Sequence, residues 1–216
     1  MELFLLTVTL AYIVTTSFPS QSVQESTEPD ETTVHVRAVL GGDKQAFNRL
    51  VLLYQARIYN LAFNYVKSEE EAKDVAQDIF VTAYRALPKL RDDTKFGAWL
   101  YQIGINHCRN RYKKLKRRGY FTQKSIDDEN APIHLEGGDS PEQNLEQKRT
   151  IKLVRDTINQ MNEAEKEVLI LRDLQDLPYD QISEILGVPL GTVKSKLNRA
   201  RINLKNKLQQ VYHHHI

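Results

Sequence analysis

Residues Leu177 to Arg201 read LPYDQISEILGVPLGTVKSKLNRAR. Pro178 suits the first position of a short helix, Tyr179 to Leu186. Gly187 closes that helix, since glycine takes the left-handed C′ conformation without a Cβ penalty. Val188-Pro189 makes a turn, and Pro189 starts a second helix running from Leu190 to about Gln209. A short helix, a glycine turn and a second helix outline a DNA-reading helix-turn-helix.

On that second helix Val193, Leu197, Ala200 and Leu204 fall on one face and should pack on Ile182, Ile185 and Val188. Ser195, Asn198 and Arg199 lie opposite, with Thr192 and Lys194 at the edges. Arg can be bidentate to guanine and Asn to adenine, while Lys meets phosphate. Lys196, Arg201, Lys205 and Lys207 add attraction along the helix. Residue types alone would equally describe a solvated basic face; the turn chemistry favours the DNA reading.

Moving upstream, helical periodicity covers Leu145 to Met161 and Glu163 to Leu174. Gly119 to Asn144 differs: it holds Asp127-Asp128-Glu129, Gly137-Gly138 and two prolines, with few apolar residues. That composition suits an exposed linker. Before it, Gly41-Gly42-Asp43 reads as a helix break followed by an N-cap. A long amphipathic helix follows through Phe47, Leu50, Tyr54, Ile58 and Leu61. Ser68 with Glu71 is a capping-box pattern opening the next helix, which should stop near Pro88. A third starts at Thr94 and runs into the basic tail Arg109 to Arg118.

Two surfaces of this N-terminal block invite binding. On the helix from Glu69, Ala72, Val75, Ile79, Ala83 and Ala86 look buried. Asp74, Gln77, Asp78, Val81 and Arg85 lie opposite, an acidic face with an apolar Val81, suited to a basic protein partner rather than DNA. On the third helix, Phe96, Trp99 and Ile103 share the core-facing side and Tyr101 points the other way. Basic residues beside aromatics suit single-stranded nucleic acid, and Asn106 can pair with a base edge.

The 216 residues carry 30 Lys+Arg against 28 Asp+Glu, a net charge of +2. Length and composition suit one or two soluble domains. The single Cys108 excludes an intramolecular disulfide and a Cys-based zinc finger, and fits a reducing compartment. No metal site or cofactor is expected: H-E-x-x-H, Walker and G-x-S-x-G patterns are absent. His107 and Cys108, adjacent on a helix, point about 100° apart and make no dyad. The ending Tyr212-His213-His214-His215-Ile216 reads as a frayed polar terminus in preference to a weak metal-binding tail. At the other end Leu3 to Val14 is apolar, yet short of the roughly 20 residues that span a bilayer. An export signal, a membrane-surface anchor and a dispensable extension remain open, the last favoured.

These blocks, in this order, resemble the extracytoplasmic-function (ECF) sigma factors, small sigma-70-family subunits of bacterial RNA polymerase. GDKQAFNRLVLLY (Gly42 to Tyr54) resembles the family's first helix, and DVAQDIFVTAYRAL (Asp74 to Leu87) its polymerase-binding helix. FGAWLYQIGIN (Phe96 to Asn106) resembles its promoter-melting segment, and Leu177 to Arg201 its −35-reading segment. The resemblance implies that Asp74, Gln77, Asp78 and Val81 dock on the clamp coiled coil of the polymerase β′ subunit. It implies that the loop Pro88 to Lys95, with Leu90, Tyr101 and Asn106, holds a flipped −10 base. Arg109, Arg111, Lys113 and Lys114 would follow the DNA backbone, and Thr192, Lys194, Ser195, Asn198 and Arg199 would meet the −35 element. An anti-sigma partner is implied too. The rival reading is a stand-alone helix-turn-helix regulator.

The expected architecture is therefore all-α: two small helical domains on a flexible acidic linker, the second a helix-turn-helix. An extension covers 1–31, the first domain 32–118, the linker 119–144 and the second domain 145–210. The small net charge becomes a cancellation between two basic helices and acidic stretches at 69–78, in the linker and at Glu163 to Asp180.

Overall fold

A computed structural model describes residues 30–123, 153–154 and 156–213, the last three by backbone alone. Leu3 to Val14, most of the expected linker, Leu145 to Lys152 and His214 to Ile216 lie outside the described residues. The chain divides into two compact units, one holding residues 30–123 and the other 153–213. The described residues are helical, with no strand among them.

In the first unit α1 spans Glu31–Leu40. The Asp30 side chain caps it, accepting the Thr33 amide at 2.7 Å. The expected extension therefore ends earlier than residue 31, because Asp30 and Glu31 supply the cap and first-turn acid that a helix N-terminus favours. Thr33 and Val36 face inward. Asp43, expected as the N-cap, instead orders the turn ahead of the next helix, accepting from Gln45 at 2.9 Å and Ala46 at 3.4 Å; the cap position itself is Gln45. That helix, α2, spans Ala46–Val66 and ends at Lys67 in the left-handed region.

Ser68 caps α3, Glu69–Ala86, by accepting the Glu71 amide. A 3-10 turn, Leu87–Lys89, and a second one, Asp93–Lys95, lead to α4, Phe96–Arg117. Helices α2, α3 and α4 pack against one another, burying Leu50, Ile58, Leu61, Ile79, Phe96 and Leu100 completely. Each such side chain contributes about 1.5–3 kcal/mol by leaving water. Gly104 sets the approach of α4 to α2: a Cβ there would stand 2.9 Å from Leu61 Cδ2.

The fold extends past the expected domain end at 118. Gly119 turns with φ 70°, and Tyr120–Gln123 forms one helical turn. It returns the Phe121 ring to within 5.1 Å of Tyr112.

In the second unit, residues 156–159 are helical, and Thr157 donates to the Leu153 carbonyl at 2.8 Å. Asn162 caps α5, Glu163–Leu169, accepting the Glu165 amide at 2.9 Å. The helix then widens into a π-helical turn, Ile170–Leu174. Asp176, with φ 50°, reverses the chain. Arg172 secures this corner by donating to the Leu177 carbonyl at 3.0 Å and lying 5.3 Å over the Tyr179 ring.

Helix α6, Tyr179–Leu186, is closed by Gly187 at φ 63°, ψ 35°. Pro178 stands one position before it, as its cap. Ser183 donates its hydroxyl to the Val188 carbonyl at 2.6 Å, pinning the turn. Helix α7 follows over Leu190–His213, its first amide bonds reaching back to the Pro189 carbonyl. Val193, Leu197, Ala200, Leu204 and Leu208 are its buried stripe, in a core shared with Ile182 and Ile185.

Candidate functional site: an acidic face and two basic helices

Helix α3 turns Ala72, Val75, Ala76, Ile79 and Ala83 inward. Asp74, Gln77 and Asp78 are exposed on its other side, and Val81 keeps 41% of its surface in water. The four expected docking residues thus lie on the solvent side of one helix. Ala86, expected in the core, is only half-buried because the helix gives way there to the 3-10 turn.

On α4 Phe96 is buried as expected, but the rest of the inward face is rotated from the one expected. Leu100, Tyr101, Gly104, Ile105, Cys108 and Leu115 are buried, while Trp99 and Ile103 are half-buried. Tyr101 is therefore a correction: it does not point outward but is 2% exposed. Burial pushes its hydroxyl pKa upward, opposed by the nearby Arg57 charge. A ring so placed offers no stacking surface to a base. Its burial follows from packing α4 between α2 and α3, which covers a wider arc than one neighbour would.

Arg111 is partnered within the fold. Tyr101, Gly104, Cys108, Arg111 and Leu115 recur at helical spacing on the same side of α4. Arg111 accordingly reaches α3, donating from Nε to the Glu71 carboxylate, with Nη2 3.8 Å from Asp74. Glu71 does not complete a reciprocal capping box with Ser68 in the described contacts; its carboxylate serves Arg111 instead. The cation expected on the DNA backbone is thus engaged with acids of the docking helix. Asn106 and Lys114 are exposed, Lys113 is exposed, and Arg109 is half-buried. His107 is tied to α3 through Thr82, 3.1 Å away.

The loop before α4 is held by short bonds. The Leu90 amide donates to Leu87 at 2.9 Å. Asp92 accepts both the amide and the hydroxyl of Thr94, at 3.0 and 2.6 Å. Leu90 is half-buried. Asp93 pairs with Arg37 of α1, and that guanidinium holds the Asp93 carboxyl below the usual carboxylate range. The sequence reading names neither residue; the one available signal is the place of Arg37 beside Val36 on the rim of a buried stripe.

In the second unit Lys194, Ser195, Asn198 and Arg199 are exposed on one side of α7, and Thr192 is half-buried. Ser195 donates to the Thr192 carbonyl at 3.1 Å, and Arg199 Nε to the Ser195 carbonyl at 3.4 Å. Arg201 departs from expectation. It forms a two-pronged pair with Asp173 of the π turn, including Nε to Oδ2 at 3.1 Å. Asp173 is only 8% exposed and Glu167 is buried, so this acidic stretch is partly interior rather than a surface. Among the described residues no group of His, Cys, Asp and Glu could hold a metal ion, and no helix is long and apolar enough to cross a membrane.

Two family models match the chain. Sigma-70 region 2 covers residues 50–118, and Sigma-70, region 4, covers 151–204. The ECF RNA polymerase sigma-E factor of Haemophilus influenzae is 37% identical over 177 residues, spanning 81% of this chain and 93% of that protein. The chain belongs to the ECF sigma factors of the sigma-70 family. The RNA polymerase sigma-H factor of Pseudomonas aeruginosa is also 37% identical over 177 residues, covering 81% and 92% of the two chains. Escherichia coli K12 sigma-E is 35% identical over 181 residues, covering 82% and 93%.

The sigma fold recurs in solved structures. CnrH, in complex with the cytosolic domain of CnrY, matches with a TM-score of 0.63 at 23% identity, over 84% of this chain and 99% of that one. The Bartonella quintana sigma factor RpoE, in complex with the anti-sigma factor NepR, matches with a TM-score of 0.53 at 24% identity, over 76% and 96%. The two sigma regions thus fall one in each compact unit: the acidic face with the first basic helix, and the α6–α7 pair.

Proposed function

We propose that this sigma factor, without catalysis of its own, brings core polymerase to promoters in the cytoplasm through three surfaces. Asp74, Gln77, Asp78 and Val81 dock on the clamp coiled coil of β′. Leu90, Asn106, Arg109, Lys113 and Lys114 engage the −10 element, while Tyr101 and Arg111 serve from within the fold. Thr192, Lys194, Ser195, Asn198 and Arg199 read the −35 element. The proposed domains are 30–123 and 145–210, joined by a linker, after an N-terminal extension. An anti-sigma factor covering the docking and DNA-facing surfaces is the expected restraint.

The observation that carries this reading is the division of α7. Its buried stripe anchors the helix, leaving Lys194, Ser195, Asn198 and Arg199 together in solvent near its N-terminal end. Helices that enter the major groove contact base edges from that end. At −10, flipping a base costs a few kcal/mol, offset by contacts in the loop. A linker between two small readers makes their joint affinity depend on geometry, which polymerase supplies.

The test is run-off transcription with core polymerase. Promoter-specific initiation is expected with the sigma factor and not without it. Lack of initiation combined with nanomolar promoter binding by the free chain would establish the stand-alone regulator instead.

A further inference from the structure

Helix α1 lies outside the segments matched by either family model, yet it reaches the loop that leads into α4. Thr33 and Val36 seat α1 in the core, which fixes the direction of the next side chain, Arg37. Arg37 crosses to Asp93 in the second 3-10 turn. A second link runs from the same helix: Thr32 Oγ1 is 3.3 Å from the Tyr54 hydroxyl, and the Tyr54 ring meets Phe96 edge-on at 5.5 Å. Phe96 is the first residue of α4. The loop from Leu87 to Lys95 is anchored at one end by the buried Leu87 and bonded within itself through the Asp92–Thr94, Asp92–Lys95 and Leu87–Leu90 bonds.

We propose that Arg37 is a positioning residue for −10 recognition: by pairing with Asp93 it braces the Leu87–Lys95 loop against α1, holding the pocket for the flipped base in shape. The proposal rests on the reading of that loop as the −10 pocket. An ion pair this exposed contributes little to stability. Its effect is on geometry, where displacements of about 1 Å are costly to recognition. Nothing in the brace touches DNA, so its loss weakens discrimination among bases rather than binding to polymerase or to the −35 element.

The test uses the full chain with core polymerase on promoters differing only at the flipped −10 position. Arg37→Ala and Asp93→Ala should each lower the preference for the favoured base about three- to tenfold, the lower range of coupling between neighbouring side chains. Core affinity, −35 preference and the unfolding midpoint should stay unchanged. The exchange Arg37→Asp with Asp93→Arg should recover most of the preference that either charge reversal loses alone.

The brace can be overturned in several ways. Loss with Asp93→Ala but not Arg37→Ala would make Asp93 a direct DNA contact. Equal loss on every promoter, with a lowered unfolding midpoint, would make the pair merely structural. Leu90→Ala separates the two layers of the inference. If it leaves base preference intact, the loop is not the pocket; if it alters preference while Arg37→Ala does not, the loop reading stands and the brace falls.

Discussion

The two basic helices, α4 and α7, look alike in sequence and differ in how they use their cations. Both carry arginines at short intervals on an amphipathic helix. Each pairs one arginine with acids of its own unit, Arg111 with Glu71 and Asp74, Arg201 with Asp173. The acids differ, however. Asp74 is exposed on the docking face, whereas Asp173 is nearly buried in the π turn. The pair in α7 therefore fastens an interior corner, and the pair in α4 ties that helix to the acidic face of α3. A run of positive charge is not one surface; burial decides which cations remain for DNA.

The sharpest break of this comparison is at Tyr101. If α4 presented that ring to DNA, Tyr101→Ala would leave stability nearly unchanged and weaken −10 capture. With the ring buried, the substitution should cost about 3–5 kcal/mol, as for other large aromatic deletions in cores. Urea unfolding followed by circular dichroism measures it. Tyr101→Phe, which keeps the ring, should cost far less.

Next comes the contrast within α7. Arg201→Ala strands a nearly buried carboxylate and should cost about 2 kcal/mol of stability, discounted from a fully buried pair because Arg201 is itself half in water. Its effect on −35 sequence preference should be nil. Arg199→Ala should do the reverse: about 1–3 kcal/mol of discrimination at one −35 position, with unfolding unchanged. Equal loss on all promoters would reassign Arg199 to phosphate.

Much of the fold was legible because its signals are local. Gly187, Asp43 and Ser68 act through their own backbone neighbourhoods, and the α7 stripe follows from spacing alone. The site was less legible where partners lie far along the chain. Arg37 and Asp93 are separated by 56 positions, and Arg111 and Glu71 by 40. No periodicity encodes such pairs. The α4 wheel did contain the Arg111 stripe, but choosing between it and the Phe96–Trp99–Ile103 face required knowing that two helices cover α4. The end of α1 was legible in the Gly41-Gly42 break, whereas its start shows only in the Asp30 cap.

The finest distinction is between Arg111 and Lys114, six and three positions before the end of the same helix. A lysine that meets a phosphate releases counterions, so its removal lowers the slope of log affinity against log salt by about 1. Lys114 is exposed and should behave that way in promoter binding by the holoenzyme. Arg111, spent on Glu71 and Asp74, releases none when DNA binds. Arg111→Ala should leave the slope unchanged and cost about 1 kcal/mol of stability or less, since its partners are partly solvated. A slope change equal to that of Lys114→Ala would mean that DNA draws Arg111 away from the acids. The pair would then be a resting arrangement that promoter binding exchanges for a phosphate, and α4 would match α7 less than its geometry shows.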